Sequence, residues 1–442
     1  MFRRKIYNRL LSWKQDSNGH TALLIEGARR VGKTTLVKEF AKREYDSYIL
    51  IDFSKAPLSV RKLFDDMSDL NYFFLQLQMI YNTKLTERKS LIVFDEVQLC
   101  PSARQSIKHL VRDYRYDYIE TGSLISIHRN VNDILIPSEE TKITMNPMDY
   151  EEFLEATGDS VTSGLIQECF ENGLSINEHT NRKLMRSFRL YMLIGGMPQA
   201  VSEYIATNNF KQVDAIKRGI LKLYEDDFAR IDRTGRLALL FDNIPAQLNQ
   251  NSSRYHVSAV LQNYRAGEIL ELVAQLRDSG TVLVSYHTAD PNVGLTSTID
   301  LTKFKLFLSD TGLFTTLMFK DRDFTENIIY EKLLSDKLSA NLGYLYKNVV
   351  AQMLTAKGDR LFYHTFRNEE NNRSFEIDFL ISRQHKICPV EVKSSGYLKH
   401  SSLNAFCSKF SSRILRKYLI NTKAPTKDQD VECIPPYMVP FL

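Results

Sequence analysis

Apolar runs of five or six residues recur along the first third of the chain, and several end in polar side chains. Ala22-Leu23-Leu24-Ile25, Tyr48-Ile49-Leu50-Ile51-Asp52-Phe53 and Ser90-Leu91-Ile92-Val93-Phe94-Asp95 lack polar alternation, the pattern of strands covered on both faces. Tyr116-Asp117-Tyr118-Ile119-Glu120-Thr121 predicts a further strand. Leu36 to Ala41 has helical spacing, and Leu70, Phe73, Phe74, Leu77, Ile80 and Tyr81 predict one helix over 63–84. Residues 1–18 form a basic, amphipathic lead-in to the first strand.

Beyond residue 150 the period changes. Residues 150–234 read as helices, interrupted at Gly195-Gly196 and Pro198, with the acidic stretch 224–230 as a solvated face. Short helices are expected over 237–248 and 258–261 and a longer one over 266–276. Residues 281–286 and 303–308 then alternate as two strands. Helices followed by a two-stranded wing predict a winged helix-turn-helix. Between Arg236 and Lys320 there are 7 basic and 7 acidic residues, so the phosphate attraction that dominates nucleic-acid affinity is weak there. A packing or dimerisation role therefore stands beside DNA binding for this segment. The last hundred residues give an amphipathic helix over 342–354 and strands over 361–366, 376–381 and 388–393, with a proline-broken apolar tail, 434–440, expected to pack as an edge.

Composition adds limits. A chain of 442 residues has length for about three domains. No run of 18 apolar residues occurs and no apolar segment follows the basic Met1-Phe2-Arg3-Arg4-Lys5, so neither a membrane span nor a secretory signal is expected. Five scattered cysteines without a C-x-x-C pair fit reduced thiols in a cytoplasm better than disulfides or zinc. Of the net charge of +5, residues 341–442 carry 15 Lys/Arg against 9 Asp/Glu, which leaves 43 against 44 elsewhere. A basic C-terminal region suits an anionic partner such as DNA, or is simply a solvated basic surface.

The chemistry concentrates in Gly27-Ala28-Arg29-Arg30-Val31-Gly32-Lys33-Thr34-Thr35, a G-x-x-x-x-G-K-T loop between strand and helix. Glycines at 27 and 32 let backbone N–H groups turn inward onto phosphate oxygens, and the following helix adds its positive end. Gly27, Gly32, Lys33, Thr34 and Thr35 are thus candidate ATP-binding residues, with Lys33 on the β- and γ-phosphates and Thr34 on Mg2+. Arg29 and Arg30 are candidates for phosphate or a partner subunit, or for a plain salt bridge. Asp95, at a strand end, is the second Mg2+ candidate, and Glu96 the residue that polarises attacking water.

Together with Phe94-Asp95-Glu96-Val97-Gln98, Thr121-Gly122-Ser123, Pro147-Met148-Asp149-Tyr150-Glu151-Glu152-Phe153 and Gly195-Gly196-Met197-Pro198-Gln199-Ala200-Val201, the loop resembles a group of prokaryotic AAA-type P-loop ATPases that carry a C-terminal domain of unknown function with a nuclease-like core. The resemblance implies an α/β chain: a parallel-sheet ATPase core (1–150), a helical lid (151–235), a winged helix-turn-helix (236–320) and a restriction-endonuclease-like domain (321–442). It also implies that Thr121 or Ser123 senses the γ-phosphate, beside the alternative that either residue belongs to a plain turn, and it leaves homo-oligomerisation open. The basic residue expected before Pro147 is replaced by Pro137-Ser138-Glu139-Glu140.

In the C-terminal region, Asp378 and the Glu391-Val392-Lys393 triplet give D-x(12)-E-x-K, which resembles the PD-(D/E)xK nucleases. Strand periodicity puts Glu391 and Lys393 on one face. Asp378 and Glu391 are then candidate Mg2+ ligands and Lys393 a candidate catalytic cation. Related proteins carry a Glu in a Glu-Asn-x-Val arrangement on the preceding helix, where this chain has Lys347-Asn348. An ammonium there removes a ligand and repels a metal. Three readings stay open: a working nuclease gated by ATP, a nucleic-acid-binding remnant, and a structural fold. Lys399, Lys409, Arg413, Arg416 and Lys417, interleaved with Phe406, Phe410 and Tyr418, are the candidate phosphate groove or a solvated basic helix. The rival to an ATPase is a nucleotide-dependent switch that does not turn over.

Overall fold

The computed structural model describes residues 2–122, 138–250, 252–322, 325, 327–335, 343–367, 374–394 and 400–442. The chain divides into two compact units. One comprises Met1–Asn146 with Asp278–Gly280, the other Pro147–Arg277 with Thr281–Leu442.

The first unit is built on five parallel strands: β1 (Ala22–Glu26), β2 (Ser47–Asp52), β3 (Ser90–Asp95), β4 (Asp117–Gly122) and β5 (Glu140–Thr144). Their order is β2-β3-β4-β1-β5, so β4 lies between β1 and β3. Every residue of β1, β3 and β4 is buried. The apolar runs of β1 and β3 suit a sheet covered on both faces, whereas β4 carries Asp117 and Glu120 inside, paired with Arg88 and Arg104. The helix expected over 63–84 is two helices, Leu58–Lys62 and Leu70–Tyr81. Polar turn formers separate them. Asp66 accepts from the Ser68 amide, and Asp69 caps the second helix by accepting from the amides of Asn71 and Tyr72. Asn82 ends it in the left-handed region, and the freed aromatic face packs Phe64, Phe73, Phe74 and Phe94 edge to face.

The second unit pairs helices with an eight-stranded mixed sheet of β6 (Val282–Thr288), β7 (Ile299–Leu308), β8 (Phe362–Arg367), β9 (Ser374–Arg383), β10 (Lys386–Val392), β11 (Lys417–Ile420), β12 (Thr426–Asp428) and β13 (Val431–Ile434). Their order is β12-β13-β11-β10-β9-β8-β6-β7. The two strands expected as a wing pair with each other, but β6 also pairs with β8 at Tyr286–Phe362 and His287–Tyr363. They therefore extend the C-terminal sheet. Asn348, on the helix Gly343–Lys357, fixes the end of β7 by accepting from the Leu308 amide at 2.8 Å and donating to the Leu308 carbonyl at 3.1 Å. The tail also differs from expectation. β13 lies inside the sheet, and Pro436–Phe441 form a 3-10 turn with Tyr437, Met438 and Val439 buried. In the acidic stretch 224–230, Tyr224 and Phe228 face the core, so only part of it is solvated.

The Gly195-Gly196 break is a packing node. Asp310 accepts from the amides of Gly196 (2.5 Å) and Leu313 (2.8 Å), capping the helix Thr311–Met318. Gly195 has φ of 84°, and a Cβ there would lie 2.3 Å from Asp310 Oδ1; on Gly196 a Cβ would lie 2.0 Å from the Met148 carbonyl oxygen. Beside the node, the buried Lys217 donates to the Leu193 carbonyl (2.7 Å), the Tyr330 hydroxyl (3.0 Å) and the Gly312 carbonyl (3.3 Å). Asp214 accepts from Thr316, Tyr330, Arg218 and the Thr325 amide, so this buried charge is fully engaged.

Two expectations follow. Gly196→Ala drives a methyl into a backbone carbonyl and should cost about 3 kcal/mol, the upper range for overpacking, read as a lower midpoint in denaturant unfolding. Burial lowers the Lys217 pKa from 10.5 to about 8, against the raising effect of Asp214 and Asp310. Its folded form therefore loses the proton first. The cost of burying the charge is complete below pH 8 and is relieved as pH rises toward 10.5. Relative to Lys217→Met, the natural chain should gain stability on the order of 1 kcal/mol per pH unit across that window. Parallel stability curves for the two proteins would contradict it.

Candidate functional site

The G-x-x-x-x-G-K-T loop leaves the carboxyl end of β1 and enters the helix Lys33–Glu44. Gly27 and Gly32 have φ of 151° and 100°, and a Cβ on Gly27 would meet the Met145 carbonyl oxygen at 2.3 Å. Arg30 also carries positive φ, at 68°. The Lys33 ammonium, 7 % exposed, donates to the carbonyls of Gly27 (2.8 Å) and Ala28 (2.9 Å), so it spans the loop it belongs to. Burial lowers its pKa to about 8, opposed by the carboxylates of Glu96 and Asp95. Arg29 is half-buried, while Arg30 and Thr35 are exposed.

The ends of three strands meet here. Thr34 Oγ1 donates to Asp95 Oδ1 at 2.9 Å, and Thr121 Oγ1, at the end of β4, donates to the same oxygen. Asp95 ends β3 and is buried. Glu96 follows in the left-handed region, φ 56°, which turns its side chain away from the strand direction. Its carboxylate accepts from Gln98 Nε2 at 2.5 Å, and its amide points at Thr121 Oγ1, 3.4 Å away. Thus Lys33, Thr34, Asp95, Glu96 and Thr121 converge. Ser123, the other sensor candidate, lies outside the described residues.

Sequence reasoning missed what supports this loop. Arg4, before the first helix, donates to the Val31 carbonyl (2.9 Å) and the Asn146 carbonyl (2.6 Å), holding the loop from behind. Arg104 lies buried between Glu120 and Glu140, at 3.3 and 3.1 Å, and ties β4 to β5 through the helix Pro101–Asp113. Burial pushes the Glu120 carboxyl well above the usual range, against the lowering charge of Arg104. Gln98 carries the one local signal, two residues after Glu96.

In the second unit, β9 and β10 pair antiparallel through Val390–Phe379, and Asp378 and Glu391 are the next residues along. Both are buried. Lys347 Nζ lies 2.6 Å from Asp378 Oδ1, the Val392 amide donates to Asp378 Oδ2 at 2.9 Å, and Lys393 Nζ lies 3.0 Å from Glu391 Oε1. Lys305, on β7, pairs with Glu376. Burial opposes ionisation of Asp378, but the charges of Lys347 and Lys305 hold it below the usual carboxylate range. Glu391 is raised by burial, despite Lys393. Among the described residues, no three His, Cys, Asp or Glu side chains are grouped to hold a metal ion.

The expected phosphate groove differs in its chemistry. Arg413 pairs with Asp290, Lys417 with Asp430, and Arg416 lies 3.8 Å from Glu432. Phe406 and Tyr418 are buried, and Phe410 packs against the core under β9 and β10. Phe406 and Tyr418 therefore fill the interior, where bases cannot stack on them, while Phe410 is partly buried. Lys399 lies outside the described residues.

No curated protein sequence matches the chain. Among solved structures, it is similar to the Walker-type ATPase PABY2304 of Pyrococcus abyssi, with 16% identity over 72% of this chain and 96% of that one, at a TM-score of 0.45. It is also similar to the Aeropyrum pernix ORC1 protein in complex with DNA, with 11% identity over 76% and 93% of the two chains, at a TM-score of 0.29. No helix among the described residues is long and apolar enough to cross a membrane. Family models described as domains of unknown function match residues 185–323 (DUF8612) and 342–437 (DUF4143), and residues 19–154 match a family model described as an AAA domain.

Proposed function

We propose that this chain binds and hydrolyses ATP with Mg2+, and that its nucleotide state controls a DNA-associated C-terminal module. The observation that carries the reading is the convergence of Thr34, Asp95 and Thr121 hydroxyl and carboxylate oxygens beside Lys33 and Glu96. Hard oxygen donors on a buried carboxylate and a loop hydroxyl suit Mg2+, and Thr34 and Asp95 would hold it. The ion, when bound, would neutralise charge developing on the β- and γ-phosphates. Amides of Gly27 to Lys33 cradle the phosphates, and Lys33 exchanges its contacts with the Gly27 and Ala28 carbonyls for phosphate oxygens. Glu96 orients a water and takes up its proton, with Gln98 positioning the carboxylate. Thr121 reads the end of the phosphate chain.

A second reading has its own support. The pairing of Lys347 with Asp378 fits a nuclease-like module that does not cut, and so a nucleotide-dependent switch working through self-association. Turnover separates the two readings.

Lys33→Ala should abolish ATP binding in calorimetry. Glu96→Gln should keep affinity within a few-fold and lower turnover about 100-fold, the usual scale for removing a general base. Natural turnover in both variants would overturn the assignment. DNA added to the natural chain should stimulate hydrolysis; no effect at low salt would separate the C-terminal module from DNA.

A further inference from the structure

Three lysines from three different segments each meet one carboxylate on neighbouring strands. Lys305 on β7 pairs with Glu376, Lys347 on the helix Gly343–Lys357 with Asp378, and Lys393, just past β10, with Glu391. The middle pair is the most constrained. Asp378 is 7 % exposed, one of its oxygens faces the Lys347 ammonium, and the other accepts from the Val392 amide. A carboxylate so engaged has given its best acceptor directions to the protein. Glu391 is also buried, and its Oε2 has no hydrogen-bond partner. The charge of Lys347 acts on Asp378, Glu376 and Glu391 together.

We propose that the Lys347 ammonium is a built-in counter-ion that takes the place of a divalent cation between Asp378 and Glu391. The face is charge-compensated by the chain itself, and it does not take Mg2+ or Mn2+. A divalent ion here would have to displace Lys347 from Asp378 and leave an ammonium buried against a dication, a repulsion that two carboxylates do not offset. Two oxygen-donating carboxylates remain close by, one with an orphaned oxygen. A third carboxylate in place of the ammonium would supply the donor count and charge that a hard cation needs. Lys347 therefore decides between a self-neutralised face and a metal site.

The inference is independent of the nucleotide reading, and the test keeps the two apart. The full chain carrying Asp95→Asn, which silences the nucleotide-site ion, is titrated with Mn2+ while free Mn2+ is followed by its paramagnetic resonance. With Lys347 present, no bound Mn2+ should be removable by Asp378→Asn. With Lys347→Glu added, about one further equivalent should bind, at least tenfold more tightly than any residual association, and Asp378→Asn should abolish it. Bound Mn2+ in the Lys347 protein that Asp378→Asn removes would overturn the proposal. So would a folded Lys347→Glu chain, checked by circular dichroism, that binds none. Should the substituted chain not fold, the comparison of Asp95→Asn with Asp95→Asn plus Asp378→Asn still decides whether the natural face takes the ion.

Discussion

A single carboxylate oxygen, Asp95 Oδ1, receives hydroxyl groups from two directions, Thr34 on the loop after β1 and Thr121 at the end of β4. That meeting depends on strand order. Because β4 lies between β1 and β3, the loop, the acid and the Thr121 hydroxyl come from three adjacent strand ends. In open parallel sheets ligands bind in the crevice outside the carboxyl ends of the strands, where the strand order reverses. Asp95 and Thr121 are buried at the ends of paired strands, which limits the reorganisation that a charge arriving there would require. Arg4 and the Arg104 pairings serve the same rigidity from below.

The second unit handles charge differently. Asp214, Lys217 and Asp310 are fully buried, yet each has protein partners, and the carboxylates near β9 and β10 are matched by lysines. Buried pairs of this kind contribute little net stability compared with apolar packing, but breaking one leaves an uncompensated charge.

Much of the first unit was legible because strands buried on both faces leave an unbroken apolar signature, and because Gly27, Gly32, Lys33, Asp95 and Glu96 stand at fixed places relative to those strands. β5 was not, since Glu140-Thr141-Lys142-Ile143-Thr144 is a short polar edge strand with one buried apolar residue, Ile143. The helix break near Asp69 hid inside a stretch whose apolar spacing ran on to either side. The wing is a different failure. Alternation marks β6 and β7 as strands, but no local pattern states that β8, whose Phe362 pairs with Tyr286, 76 residues earlier, is a neighbour of β6. A charge count likewise cannot see that Arg413, Arg416 and Lys417 have acids beside them. The burial of Lys217 and Asp310 left no trace in sequence, since Lys217 is one of many charges on its helix and Asp310 reads as an ordinary helix cap.

The Asp310 node has a bearing on synthesis. Nearly all of the first unit is continuous in sequence, from Met1 to Asn146, so its sheet can close while the ribosome is still making the rest. The helices from Tyr150 to Ile231 cannot settle so early. Their turn at Gly195-Gly196 has its amide satisfied by a side chain more than a hundred residues downstream, and Asp214 waits for Thr316, Thr325 and Tyr330. Until those arrive, the helical segment exposes unpaired buried-type charge and apolar surface. By topology, then, these helices can complete their polar pairings only after Tyr330 has been made.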